Sequence, residues 1–198
     1  LAKNGTNELT LTGTNTHTGF TNLNTGTLTV KGLLGNTYLT VDSGAIYSVE
    51  GGDDTIGSIA GAGNIHIPSG VTLTTNTGNN NPIFSGVISG PSGDVGGNLV
   101  KSGNGTLTLS GTNTYAGTTA IRGGRISISA DSGLGTAPGS ATAGHLILNG
   151  GALEANASFT LNPNREISLG SSNGTFDINS GATLTYDGII RGSNNLIK

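Results

Sequence analysis

The stretch SGNGTLTLSGTNTYAG, residues 102–117, carries the pattern from which the fold of this chain can be predicted. Leu107 and Leu109 lie two positions apart between threonines, which is the period of a β-strand that turns one side towards a core. Gly111 then predicts a tight corner, and Asn113 an amide that satisfies backbone groups at that bend. The stretch contains no acid, base or cysteine, so it predicts a structural unit, with Tyr115 as a replaceable surface position.

The same unit occurs a second time near the beginning of the chain. Residues 1–30 match residues 99–128 at a shift of 98, with 13 identities in 30 and no gap. We predict a duplication with copies at 1–98 and 99–195, and the start of a third copy at 196–198. The positions expected to shape the copies are Leu9, Leu11, Gly13, Asn15, Gly19, Leu107, Leu109, Gly111, Asn113 and Gly117.

Short strands broken by tight turns continue between the two copies. The examples are LTVDSGAIY from residue 39, IHIPSGVTL from 65, LILNGGAL from 146 and FDINSGATL from 176. A β-sandwich has no reason to repeat at 98 residues, whereas a solenoid lengthens when its coils are duplicated. The sequence therefore predicts an all-β protein, a parallel β-helix formed by one segment of residues 1–198. Coils of about 20 to 25 residues give roughly eight coils, or roughly four for each copy.

Composition excludes several classes of function. Gly, Thr, Asn and Ser supply 106 residues, and only 10% of the chain is charged, against about 25% in ordinary domains. The eight Lys and Arg are scattered, so no basic stripe is available to nucleic acid. No segment reaches the roughly 18 apolar residues of a membrane-spanning helix. The lack of cysteine excludes disulfides and thiolate metal sites. We expect no nucleic-acid partner, no direct membrane insertion and no cofactor.

The polar side chains suggest little catalytic chemistry. His17, His66 and His145 stand at repeat positions that other copies fill with Tyr115, Asp177 and Asn64, which favours ordinary exposed histidines. The densest carboxylate cluster is Glu50, Asp53 and Asp54, expected on a solvated glycine-rich loop. It is a weak candidate for a calcium site and for the carboxylate pair of a glycoside hydrolase. We predict no catalytic residue and no enzyme activity.

The segment GNGTLTLSGTNTYAGTTAIRGGRISI, residues 103–128, resembles the autotransporter-associated β-strand repeat, also called the passenger-associated transport repeat. The residues that carry the resemblance are Gly103, Gly105, Leu107, Leu109, Gly111, Asn113, Thr114, Tyr115, Gly117, Thr118, Thr119 and Gly124. Residues 1–30 are similar, although Thr6, Asn7 and Glu8 replace Asn104, Gly105 and Thr106.

The resemblance implies a right-handed parallel β-helix in the passenger of a type V secretion protein. Such a passenger crosses the outer membrane through a C-terminal β-barrel translocator of the same polypeptide and reaches the cell surface or the medium. We expect a non-enzymatic, rigid segment that aids export and presents or contributes adhesive surface, with a cell-surface receptor or a second copy as partner. Two alternatives stay open: a self-associating adhesin face, and a polysaccharide-binding or polysaccharide-cleaving β-helix.

Overall fold

The protein is a parallel β-solenoid, described by a computed structural model over residues 1–76 and 78–198. The strands of the first five turns are β1 (Ala2–Lys3), β2 (Glu8–Leu11), β3 (Phe20–Leu23), β4 (Thr27–Val30), β5 (Tyr38–Val41), β6 (Ile46–Val49), β7 (Asp54–Ile56), β8 (Ser58–Gly61), β9 (Asn64–His66), β10 (Thr72–Asn76), β11 (Ile83–Phe84), β12 (Val87–Ser89) and β13 (Asn98–Ser102). The later strands are β14 (Thr106–Leu109), β15 (Thr119–Ile121), β16 (Arg125–Ile128), β17 (Thr142–Leu148), β18 (Ala152–Ala155), β19 (Phe159–Leu161), β20 (Arg165–Leu169), β21 (Gly174–Ile178), β22 (Leu184–Tyr186), β23 (Ile190–Arg191) and β24 (Leu196–Ile197).

The strands of the solenoid form three faces that the chain visits in a fixed order. The first face is a ten-stranded sheet in the order β1-β3-β5-β8-β11-β14-β16-β18-β21-β24. The second is the five-stranded sheet β12-β9-β6-β4-β2, continued at later turns by the pair β19-β22. The third is the seven-stranded sheet β23-β20-β17-β15-β13-β10-β7. Among the described residues, the first two turns have no strand on the third face, and the sixth and seventh have none on the second. Neighbouring strands are parallel throughout. The predicted all-β solenoid is confirmed, with nine turns and the first strand of a tenth.

The core is a column of apolar side chains inside the turns. Alternate residues of each strand point inward, and Leu, Ile and Val fill most of these positions. Leu107 and Leu109 are buried, whereas Leu9 and Leu11 in the first turn are only partly buried because they have a neighbouring turn on one side. The one short helix among the described residues is a 3₁₀ helix at Asp131–Leu134. No helix in the described ranges is both long and apolar enough to cross a bilayer.

One corner between the first and second faces is built from stacked glycines. A Cβ added to Gly111 would collide with the carbonyl oxygen of Gly86, and one added to Gly86 would collide with that of Gly63. These three residues belong to successive turns, so any side chain here would push the turns apart. Glycine is therefore required by close approach of the backbones.

The two repeat copies occupy different faces of the solenoid. Strand β1 lies on the first face, but the matching residues 98 positions later form β13 on the third face. Likewise β2 lies on the second face and its match β14 on the first. A copy thus advances from the first face of turn one to the third face of turn five, which is four and two-thirds turns. The sequence predicts roughly four coils for each copy; the structure shows about four and two-thirds turns, so matching residues of the two copies lie on different faces.

The reason for this rotation is the variable length of the turns. Paired strands are 18 residues apart at Phe20 and Tyr38 but 27 apart at Arg125 and Ala152, so 98 residues do not make a whole number of turns. Every face offers a strand similar surroundings, namely parallel neighbouring strands and an apolar interior. The same sequence unit can therefore fold on any of the three.

Candidate functional site in the two repeat copies

The repeat copies share a set of polar contacts that join each turn to the next. Lys101 lies at the end of β13 with its side chain fully buried. Its Nζ donates hydrogen bonds to the carbonyl oxygens of Ser102 at 2.6 Å, Gly103 at 2.9 Å and Gly123 at 3.1 Å. Gly123 belongs to the following turn, so the ammonium group holds two turns together. We call this arrangement the lysine cage.

The first copy contains a matching lysine cage, with the same three contacts. Lys3 Nζ donates to the carbonyl oxygens of Asn4 at 3.2 Å, Gly5 at 2.6 Å and Thr25 at 3.1 Å, and each of these residues lies 98 positions before its counterpart. The cage therefore survives the change of face. In the sequence these lysines count among scattered charges, although Lys3 and Lys101 occupy the same position in the two copies.

Burial of the ammonium group has an electrostatic cost. Desolvation lowers the pKa of Lys101 to about 8. The three carbonyl oxygens act in the other direction, because they accept hydrogen bonds from the charged form and stabilise it. Without the lysine, these carbonyls would lose a shared donor inside the structure.

A second repeated contact involves Tyr115. Its ring is fully buried, and its hydroxyl is hydrogen-bonded to Thr119 Oγ1 at 2.8 Å. Desolvation raises the pKa of Tyr115 to about 12, so the phenol stays neutral. In the first copy His17 Nε2 makes the matching contact to Thr21 Oγ1, also at 2.8 Å. The prediction of Tyr115 as a surface position is wrong, because Tyr115 is fully buried, and the half-buried His17 replaces it by keeping the polar contact to a threonine.

Asn113 bridges three successive turns from the corner after β14. Its Oδ1 accepts a hydrogen bond from the Ile88 backbone N–H at 2.8 Å, and its Nδ2 donates to the Gly133 carbonyl oxygen at 2.8 Å. Asn15, at the matching position, donates from Nδ2 to the carbonyl oxygens of Gly13 at 3.1 Å and Leu33 at 2.7 Å. Both amides thus bond backbone groups at the bend and join a neighbouring turn.

The acidic cluster of the sequence does not converge in space. Asp54 lies in β7 and is buried, where its Oδ2 accepts hydrogen bonds from Tyr47 Oη at 2.9 Å and the Leu34 backbone N–H at 3.1 Å. Asp53 accepts from the Thr72 backbone N–H at 2.8 Å, and Glu50 lies 3.6 Å from Lys31 Nζ. The expectation of a solvated loop is wrong for Asp54, since its carboxylate has partners in the interior. Within residues 1–76 and 78–198, no group of three or more metal-binding side chains comes together.

A further buried cluster surrounds Arg165 on β20. The fully buried guanidinium donates from Nε to Asp131 Oδ1 at 2.9 Å, from Nη2 to Asp131 Oδ2 at 3.1 Å and from Nη1 to the Leu134 carbonyl oxygen at 3.0 Å. It thereby anchors the segment between β16 and β17. This segment follows the second repeat copy, and no residue pattern in the sequence paired Arg165 with Asp131.

His145 packs against Arg165 and is buried, contrary to the expectation of an exposed histidine. Its Nδ1 lies 3.4 Å from Arg165 Nη1, and its Nε2 lies 3.3 Å from the Ala116 carbonyl oxygen. An Nε2–H tautomer satisfies both contacts. Burial and the neighbouring guanidinium lower the pKa of His145. The structure therefore keeps this imidazole neutral.

Comparison with known proteins identifies the repeat. The family model for the passenger-associated-transport-repeat matches residues 1–30 and 99–128, the two segments that contain the lysine cages. A relative described as "Adhesin BmaC autotransporter", from Brucella suis biovar 1 (strain 1330), is 36% identical over 188 residues. That alignment covers 88% of this chain and 5% of the relative, so the chain spans a small part of the relative's length. No solved structure matches the chain.

Proposed function

This chain belongs to the family of autotransporter passengers that carry the passenger-associated transport repeat, and we propose that it is a rigid, non-enzymatic stalk segment. The stalk aids export and presents or contributes adhesive surface. As part of such a passenger, the chain lies at the cell surface or outside the cell. The C-terminal β-barrel translocator of the same polypeptide is its proposed partner during export.

The observation that carries this proposal is the set of contacts between successive turns. Each repeat copy places a buried lysine and an asparagine so that they bond backbone groups of the turn that follows. A turn that emerges from the membrane can therefore dock on the turn already folded, without contacts from distant parts of the chain. Stability that sums over neighbours discourages the chain from sliding back.

The adhesive part of the proposal has a separate support. The relative named as an adhesin matches most of this chain. Nine stacked turns at about 4.8 Å each form a rod on the order of 40 Å long, which carries attached segments away from the membrane. The buried polar groups of the repeats bond to backbone and are used structurally, which favours a non-enzymatic role.

Export can be tested by placing this chain between the signal peptide and the β-barrel of an autotransporter that lacks its own passenger. We expect the chain to become accessible to protease on intact cells. The double variant Lys101→Met, Asn113→Leu should reach the surface less often, because the turns around Lys101 no longer dock firmly on one another.

Lys31→Met is the matched control, since Lys31 is exposed and its ion pair with Glu50 lies at the surface. Its surface fraction should equal that of the unchanged chain. Retention of the unchanged chain in the periplasm would contradict the proposal. So would equal export of the double variant.

A further inference from the structure

The first face carries an exposed aromatic pair that the fold does not require. Phe20 on β3 is 67% exposed and Tyr38 on β5 is 38% exposed. The two residues are directly paired in the sheet, and their ring centroids lie 5.5 Å apart with the planes tilted by 38°. Together the rings form a small apolar platform facing solvent.

The platform borders a groove of about 500 Å³. The sheet register places Ser58 beside Tyr38 and Ala60 beside Thr40, so small side chains follow the aromatic pair along the face. The loop before β11, at residues 80–82, lines the groove on the other side with Asn80, Asn81 and Pro82. Asn81 is held in place because its Oδ1 accepts a hydrogen bond from the Thr106 backbone N–H at 2.8 Å.

The repeat provides an internal comparison for this pair. The second copy has Thr118, directly before β15, where the first has Phe20, so a repeat copy folds without an aromatic residue at this position. The chain contains four Phe and four Tyr, and the other six rings are buried or half-buried. A cross-strand ring pair makes only a small contribution to the stability of the sheet, and exposed apolar patches commonly mark binding sites.

The chemistry of the groove selects one class of ligand. None of the described residues that line it is charged, which favours a neutral ligand. The ring faces suit an apolar surface, and the amides and hydroxyls of Asn80, Thr40 and Ser58 suit a ligand rim of hydroxyl groups. A sugar ring combines a face of C–H groups with such a rim. We propose that this groove binds a neutral oligosaccharide.

The size of the feature favours a small ligand over a protein partner. Stable protein interfaces bury about 800 Å² on each side, and here the exposed aromatic surface is confined to two rings. A groove of about 500 Å³ lies within the range of small-molecule sites. The inference goes beyond the stalk role, and it is tested on the purified chain, so its failure would leave the export proposal standing.

The test titrates cellohexaose, maltohexaose and chitohexaose into the purified chain while tyrosine fluorescence and binding heat are recorded. We expect at least one of these sugars to bind with a dissociation constant on the order of 1 mM or tighter. Phe20→Thr, which copies the second repeat, and Tyr38→Thr should each weaken binding about tenfold. Phe20→Tyr keeps a ring at the platform and should retain binding.

Val95→Thr is the matched control, because Val95 is 65% exposed and lies outside the groove. It should leave sugar binding unchanged, and circular dichroism should show that all variants keep the β-fold. Failure of all three sugars to bind at about 10 mM would overturn the proposal. Binding that survives both threonine variants would also overturn it, as would a dimer that forms through Phe20 without any sugar binding.

Discussion

Individual polar residues of the repeats act on the backbone of neighbouring turns. Lys101 bonds three carbonyl oxygens in two turns, and Asn113 bonds groups in the turns before and after its own. Side chains with several donors or acceptors suit this role, because a corner leaves more than one backbone group without a strand partner. The stretch that predicts a strand and a corner thus also joins one turn to the next.

Replacing Lys101 tests the energy of the cage. Lys101→Met keeps the apolar stem but removes the donor from three carbonyl oxygens, and we expect the free energy of unfolding to fall by about 2–4 kcal/mol. Urea unfolding followed by circular dichroism measures this change. Lys31→Met should stay within about 0.5 kcal/mol of the unchanged chain. A Lys101→Met variant as stable as that control would show that the cage contributes nothing.

At the scale of elements, one buried arginine organises the segment between β16 and β17. Arg165 reaches from β20 to Asp131 in the 3₁₀ helix and to the carbonyl oxygen at its end. His145 on β17 packs beside the same guanidinium. A proton on His145 would place a second positive charge next to Arg165, so this segment is sensitive to acid.

The direction of the pH effect follows from the lowered pKa of His145. Below about pH 6.5 the unfolded chain protonates this histidine while the folded chain resists, so stability falls as pH decreases through that value. Burial lowers the pKa of His66 as well. The unchanged chain and the His145→Gln variant both contain His66, so its contribution is the same in the two. Urea unfolding at pH 7.5 and 5.5 should show a smaller loss for His145→Gln than for the unchanged chain. Equal losses would assign the acid sensitivity to other groups.

At the scale of the whole molecule, the two copies are related by a screw motion that includes a change of face. Their separation of four and two-thirds turns places matching residues such as Thr21 and Thr119 on the first and third faces. A binding surface encoded in one copy therefore does not line up with the next copy. Because the proposed sugar groove depends on residues of one copy only, it occurs at one place along the rod.

Neighbour-by-neighbour stability predicts a gradient of protection along the rod. Hydrogen exchange should be slowest in the central turns, near Leu99 and Leu107, and faster towards both terminal turns, which have a neighbour on one side only. Lys3→Met should increase exchange in the first two turns, and Lys101→Met in the turns around β13. Mass spectrometry of peptides after exchange measures this pattern. A uniform increase along the chain in either variant would show that the solenoid unfolds as a single unit instead.

Much of the architecture follows from local patterns in the sequence. Leucines two apart specify strands, and glycine with asparagine specifies corners, because strand period and turn conformation are properties of a few consecutive residues. Comparison of the copies identified the duplication, and the resemblance of residues 103–128 to a known repeat indicated the family. The same comparison misled at Tyr115, since replacement by His17 suggests a surface position when only the residue types are known.

Local patterns of residues specify the strand period, the corners and the duplication, and hence the parallel solenoid. The face that each copy occupies is visible only in the folded chain, because it depends on the summed lengths of all intervening turns. The fold also buries Asp54, Tyr115, His145 and Arg165 and brings Phe20 and Tyr38 together at the surface. These contacts join residues about 20 positions apart along the coil, where turn length, and no local pattern, sets the partner.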